Sequence, residues 1–282
     1  MRGAEVAVTA DESFGGAVVS VLWGGAEFVN RHDTGRLLQV AWNVDGENET
    51  LNPTEGGSIN AKSTVFLYGS VTGKTLTTSC HPAYWLPPGY GGSRAQTVTT
   101  ADKLTKAITA DFGGNPHVLK YDTNIELAAD TNLFSGEVPT IYLPREFNSF
   151  FTYDAETGAL IDRTVDVNPA GGCIDPTQFD DLRPRHGGIV AATSNGGFAL
   201  ALYGSNPPNS GFGMPEGCYA FAACSFTHLS GAGPLGDATT KLVAKSRISQ
   251  LAAGAHSWTS YVVVGSRDQV TATMSELWRN GN

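Results

Sequence analysis

The chain alternates apolar and polar residues with a period of two over most of its length. In Val118–Leu127 the residues Leu119, Tyr121, Thr123, Ile125 and Leu127 share one face, and Lys120, Asp122, Asn124 and Glu126 share the other. Such a pattern predicts a long antiparallel strand with one wet face. Shorter segments read the same way: Glu5–Thr9, Ala17–Trp23, Glu27–Asn30, Leu37–Asn43, Ser63–Ser70, Lys74–Ser79, Gln96–Thr100 and Leu104–Phe112. After an interval the pattern resumes at Ile189–Thr193, Phe198–Tyr203, Tyr219–Phe226, Lys241–Gln250 and Ser257–Val264. Ala17–Trp23 is almost wholly apolar, as a central strand requires, and Gly24-Gly25 behind it signals a hairpin turn. Residues Asp130–Asp181 are the least regular stretch and read as insertions with one short helix. Only the end of the chain has a strong helical period. Ser266 and Gln269 have the form of a capping box, and Val270, Met274, Leu277 and Trp278 follow at helical spacing, so a helix is expected over 266–280.

The expected architecture is therefore all-β: one domain over residues 1–282, a large antiparallel β-sandwich with a single C-terminal α-helix. Composition agrees with it. Of 282 residues, 34 are Gly and 14 are Pro, which suits short strands joined by many turns. The formal charge of −9 disfavours nucleic acid and anionic membrane as partners, since the summed field repels polyanions. No apolar run reaches the length of a membrane span, and no signal peptide opens the chain. A Thr/Asn/Gly-rich, Lys-poor composition suits a secreted protein, so localisation stays open between secreted and cytoplasmic. The four cysteines make no metal-binding spacing; Cys218 and Cys224 are near enough in sequence for a disulfide, which spacing alone does not establish. No cofactor or metal is expected: the P-loop, dinucleotide, G-x-S-x-G and HExxH patterns are all missing from the sequence.

The chemistry-bearing residues concentrate between Phe28 and Ser58. Asn30, Arg31, His32, Asp33, Arg36 and Gln39 crowd one polar loop and the strand after it, beside Trp42. Glu55 then stands on a turn framed by Pro53 and by Gly56-Gly57. Asp33 and Glu55 form a candidate carboxylate pair, one protonated and one ionised, as hydrolysis of a glycosidic bond requires. The plainer alternative has Asp33 accepting amides in its own turn. His81 and Tyr84, in a proline-braced segment with Trp85, offer proton transfer near neutral pH; His81 read as a strand-end cap is the alternative. Arg145 and Glu146 precede a run containing Phe147, Phe150, Phe151 and Tyr153. Aromatic faces stack on sugar rings while Arg, Asp, Asn and Gln satisfy hydroxyls, so carbohydrate is the ligand class this mixture fits.

The opening run resembles the start of proteins with the galactose mutarotase-like supersandwich. It is a strand ending in Trp23, a Gly24-Gly25 turn, then Glu27-Phe28-Val29-Asn30 and an Arg-bearing segment. The resemblance covers the first third of the chain. It implies substrate contacts from Asn30, Arg31 and Arg36, and an acid role for His81 in Ser79-Cys80-His81-Pro82-Ala83-Tyr84. The carboxylate pair favours a glycoside hydrolase that uses Asp33 and Glu55, and two alternatives stand beside it. A polysaccharide lyase or sugar epimerase would use His81 or Tyr84 with Arg31 and Arg36. A glycan-binding module would use the aromatic and polar residues without turnover, with Gln39, Trp42, Trp85, Arg145 and Glu146 as further contacts in each case.

Overall fold

The computed structural model describes residues 1–31, 36–44, 50–52, 64–85, 88–89, 97–167, 173–174, 186–204, 220–226 and 239–282. The strands are β1 (Ala7–Asp11), β2 (Ala17–Trp23), β3 (Ala26–Glu27), β4 (Leu38–Val44), β5 (Leu51–Asn52), β6 (Val65–Thr72), β7 (Thr75–His81), β8 (Ala83–Tyr84), β9 (Lys103–Ala110) and β10 (Val118–Leu127). Then come β11 (Thr131–Pro144), β12 (Ser149–Asp154), β13 (Ala159–Asp162), helix α1 (Thr164–Val167), β14 (Cys173–Ile174), β15 (His186–Ala192) and β16 (Ala199–Tyr203). The chain closes with β17 (Ala220–Ser225), β18 (Thr239–Leu251), β19 (Gly254–Gly265) and helix α2 (Arg267–Arg279). No helix among the described residues is long and apolar enough to cross a membrane.

Two antiparallel sheets carry the fold. A ten-stranded sheet runs β1-β2-β4-β11-β18-β17-β14, with β3, β5 and β8 attached beside it. A nine-stranded sheet runs β13-β12-β15-β16-β19-β10-β9-β7-β6. Alternation along each strand decides what lies between them. Leu38, Val40 and Trp42 of β4, Ile141 and Leu143 of β11, and Leu104 and Ile108 of β9 all enter one buried cluster. The far side of the nine-stranded sheet is covered by α2, whose Val270, Met274 and Leu277 pack on Val190, Ala201 and Val263. Each such side chain contributes about 1.5–3 kcal/mol when fully buried. The helix begins as its sequence dictates: Ser266 accepts from the Gln269 amide, and the Gln269 side chain accepts from the Ser266 amide.

The structure alters three sequence expectations. Residues Asp130–Asp181 are not mainly irregular: they include β11, the longest strand, which pairs with β4 on one side and β18 on the other. The strand pattern is obscured because Gly136 and Pro139 interrupt it. The register shifts between Glu137 and Thr140, and such a bulge accommodates a proline without breaking a ladder bond. The expected strand Gln96–Thr100 reduces to an isolated bridge from Thr99 to Ala83, with Gln96 outside the described residues. Cys224 is bonded to Cys173 across the β14–β17 pair, which rules out a bond to Cys218, itself outside the described residues.

Candidate functional site

Because Leu38, Val40 and Trp42 turn inward, Gln39 and Asn43 lie on the outer face of the ten-stranded sheet. On β11 and β18 the same alternation turns Ile141, Leu143 and Leu242 inward and leaves Tyr142 and Lys241 outward. The register sets Tyr142 directly opposite Lys241. The ammonium lies 5.1 Å from the Tyr142 ring centroid and donates to Glu137 Oε1 at 2.8 Å. Gln39 pairs with Thr140 across β4 and β11, and its amide donates to the Arg36 carbonyl at 2.9 Å. These central strands thus hold a phenol, an ammonium and a carboxylate on one face, with the Arg36 charge near enough to influence the phenol. Gln39 is 2% exposed and Thr140 1%, so part of that face is shielded from solvent.

Charge states follow from these neighbours. Burial raises the Tyr142 pKa, with Glu137 adding to the effect, while Lys241 and Arg36 oppose it. Tyr142 therefore keeps its proton at neutral pH and can donate it in a hydrogen bond. Burial lowers the Lys241 pKa, but Glu137 and Tyr142 outweigh it and hold the pKa above the ordinary lysine value. The site presents a fixed cation beside a neutral phenol.

Where Tyr142 ends the cluster, the chain turns into a cleft. The Asn30 amide donates to the Tyr142 carbonyl at 2.8 Å, and Asn30, Arg31, Arg145 and Glu146 line one hollow together with Glu27. Five of the residues read from sequence therefore gather around the end of β11, if Arg36 beside Tyr142 is included.

Others do not join them. Asp33 and Glu55 lie outside the described residues. Trp42 is wholly buried, because it shares the inward face of β4 with Leu38 and Val40, and so is corrected from ligand contact to core. The aromatics Phe147, Phe150, Phe151 and Tyr153 are buried as well. His81 ends β7, with Nδ1 at 2.7 Å from the Asp102 carbonyl oxygen, and holds the strand end as its plainer reading expected. Nearby, burial raises the Asp102 pKa, countered by the Ala128 amide and the Trp42 indole; the indole approaches without meeting hydrogen-bond geometry. Tyr84 pairs with Leu51, which pairs with Trp42, itself opposite Gly136. Pro144 is eight residues further along β11, roughly 26 Å at a strand's rise, so Tyr84 is far from Arg145. Trp85 is 46% exposed. Sequence reasoning missed Glu137, Tyr142 and Lys241. The alternation of Ile141-Tyr142-Leu143 was the one signal for Tyr142, hidden by the flanking prolines. Among the described residues no cluster of His, Cys, Asp and Glu could hold a metal ion.

No protein-family model matches the chain, and no curated protein matches its sequence. Solved structures do resemble it. A galactose mutarotase-like protein from Lactobacillus casei ATCC 334 aligns with a TM-score of 0.51 at 8% identity, over 94% of this chain and 98% of that one. The α-galactosidase from Lactobacillus brevis aligns at 0.49 with 8% identity, over 95% of this chain but only 39% of that one. Galactose 1-epimerase from Lactobacillus acidophilus NCFM gives 0.46 at 10% identity, over 94% of this chain and 92% of that one. At such identities the likeness is one of fold. The chain shares its fold, two large antiparallel sheets, with that galactose mutarotase-like protein.

Proposed function

We propose that the protein is a carbohydrate-active enzyme that works on a sugar held against the outer face of β4, β11 and β18. The observation that carries this reading is the contact of Lys241 with both Glu137 and Tyr142 in the middle of that sheet. A neutral phenol and a fixed ammonium stabilise oxygen that gains negative charge during reaction, while the carboxylate accepts a proton or a hydroxyl hydrogen bond. Arg36 and Lys241 together suit a substrate carboxylate. The set fits proton transfer beside such a carboxylate, as in elimination or epimerisation, better than hydrolysis, because among the described residues it includes one carboxylate rather than two. Hydrolysis through Asp33 and Glu55 is the second reading, supported by the position of Asp33 three residues before Arg36.

The fold alone does not choose among these, since one fold serves many chemistries. A screen of neutral and uronate glycans, followed by Tyr142→Phe and Glu137→Gln on whichever substrate turns over, tests the proposal. Loss of general acid–base help should lower turnover about 10²–10⁴-fold with the fold retained. Turnover unchanged in both variants would move the chemistry to Asp33 and Glu55. Binding without turnover in the wild type would make the protein a glycan-binding module.

A further inference from the structure

We infer that the cleft between Arg31 and Arg145 holds the anionic group of an acidic sugar, either a uronate carboxylate or a sulfate ester, and so selects acidic over neutral glycans. This rests on the reading that the protein handles carbohydrate. Two adjoining hollows of ≈ 610 Å³ and ≈ 470 Å³ share Glu27, Pro144, Arg145 and Glu146. That is room for a sugar unit and its neighbour.

The charges in the cleft are not evenly spent. Glu27 is engaged by its own hairpin: its Oε2 accepts from Ser20 Oγ at 2.6 Å, and its Oε1 accepts from the amides of Val21 at 2.9 Å and Val29 at 3.0 Å. The Arg31 guanidinium reaches Glu27 only at 3.9 Å and its side chain is 60% exposed. Such a contact is weak, so Arg31 retains its capacity to bind an anion. Arg145, also exposed, makes no hydrogen bond or ion pair among the described residues. Among the described residues, two guanidiniums thus border one hollow with no hydrogen bond to their donor forks, and a fork matches the paired oxygens of carboxylate or sulfate.

The rest of the lining suits a sugar ring. Phe198 gives a half-buried aromatic surface. Asn195 spends its carbonyl oxygen on the Thr193 hydroxyl at 2.8 Å and the Gly197 amide at 2.9 Å, which leaves its NH2 group as the donor for a hydroxyl. Glu146, on the same turn as Arg145, is the acceptor available to another hydroxyl.

Calorimetry with oligomers of galacturonate and glucuronate, their neutral methyl esters, and a sulfated oligosaccharide tests the inference. Acid oligomers should bind about ten- to a hundredfold more tightly than their esters, the range expected for charge-assisted hydrogen bonds. Arg31→Ala and Arg145→Ala should each weaken acid binding more than ester binding and so shrink that preference, and Arg145→Lys should restore part of it. Preference for the sulfated probe alone would assign the anion as sulfate and support the site. Equal affinity for acids and esters, with Tyr142→Phe still lowering turnover, overturns the inference and leaves the proposed function standing. Absence of binding to every probe overturns both.

Discussion

Lys106 is the side chain whose replacement should change stability most instructively. It lies on the inward face of β9, is 1% exposed, and its ammonium donates to the Gly16 carbonyl at 2.8 Å. Burial lowers its pKa to about 8, against an ordinary lysine value of about 10.4. The folded chain therefore binds fewer protons at this site than the unfolded chain between about pH 8 and 10.4. Stability consequently rises with pH through that window, and the full penalty applies below it. A shift of that size corresponds to about 3 kcal/mol. Replacement by Met keeps the volume and removes the charge, and it does not strand Gly16, whose carbonyl also accepts from the Thr78 hydroxyl at 3.2 Å. Lys106→Met should therefore be more stable than wild type by up to about 3 kcal/mol at pH 7, with the gap closing towards pH 10. Denaturant unfolding of both proteins from pH 7 to 10.5 measures this. Cys80 titrates beside it: burial raises that thiol's pKa to about 11, with the Lys106 charge opposing. The part of the curve below about pH 8.5, where an ordinary thiol keeps its proton, therefore isolates Lys106. Above it that thiol takes stability away as pH rises. A variant less stable than wild type at pH 7, or a gap independent of pH, would refute the reasoning.

Two further outcomes follow from burial and covalent connection. Trp42→Ala should cost about 3–5 kcal/mol as a core truncation, whereas Trp85→Ala, on the surface, should stay within about 0.5 kcal/mol; thermal melts of the two variants check the contrast. Loss of the Cys173–Cys224 bond, which spans a sequence separation of 51, should remove about 4 kcal/mol by loop-closure entropy, measured as unfolding of the double Ser variant beside the oxidised wild type.

The sheets were legible wherever alternation ran unbroken. Ala17–Trp23 and Val118–Leu127 match their strands residue for residue, and the capping box at Ser266 marked the helix start. β11 was not legible, because local signals from Gly136, Pro139 and Pro144 contradict a strand that only its two neighbours make favourable. The candidate site divided along the same line. Asn30, Arg31, Arg36 and Gln39 stood out because polar residues crowd between apolar runs. Glu137 and Tyr142 sat in the stretch whose period was hidden, and Lys241 looked like an ordinary strand residue until β18 was placed against β11. Trp42 was misjudged on chemistry alone. Its spacing from Leu38 and Val40 in Leu38-Gln39-Val40-Ala41-Trp42 already put it on the buried face. The partner of Cys224 could not be read, since β14 and β17 meet only in the folded sheet.

The last two strands place one strand in each sheet: β18 lies between β11 and β17, and β19 between β10 and β16. Val118 pairs with Val263 and Thr131 with Leu251, so both partners are made long after the strands they join. Until then β10 and β11 each have one side without its native neighbour, and neither sheet is continuous. Pairings this distant in sequence make folding slow, because the chain must close long loops before the contacts reward it. The nascent chain thus carries two incomplete sheets until β18 and β19 have been made. Its tendency to aggregate should depend on how fast the C-terminal hairpin arrives, more than on the stability of the finished sandwich.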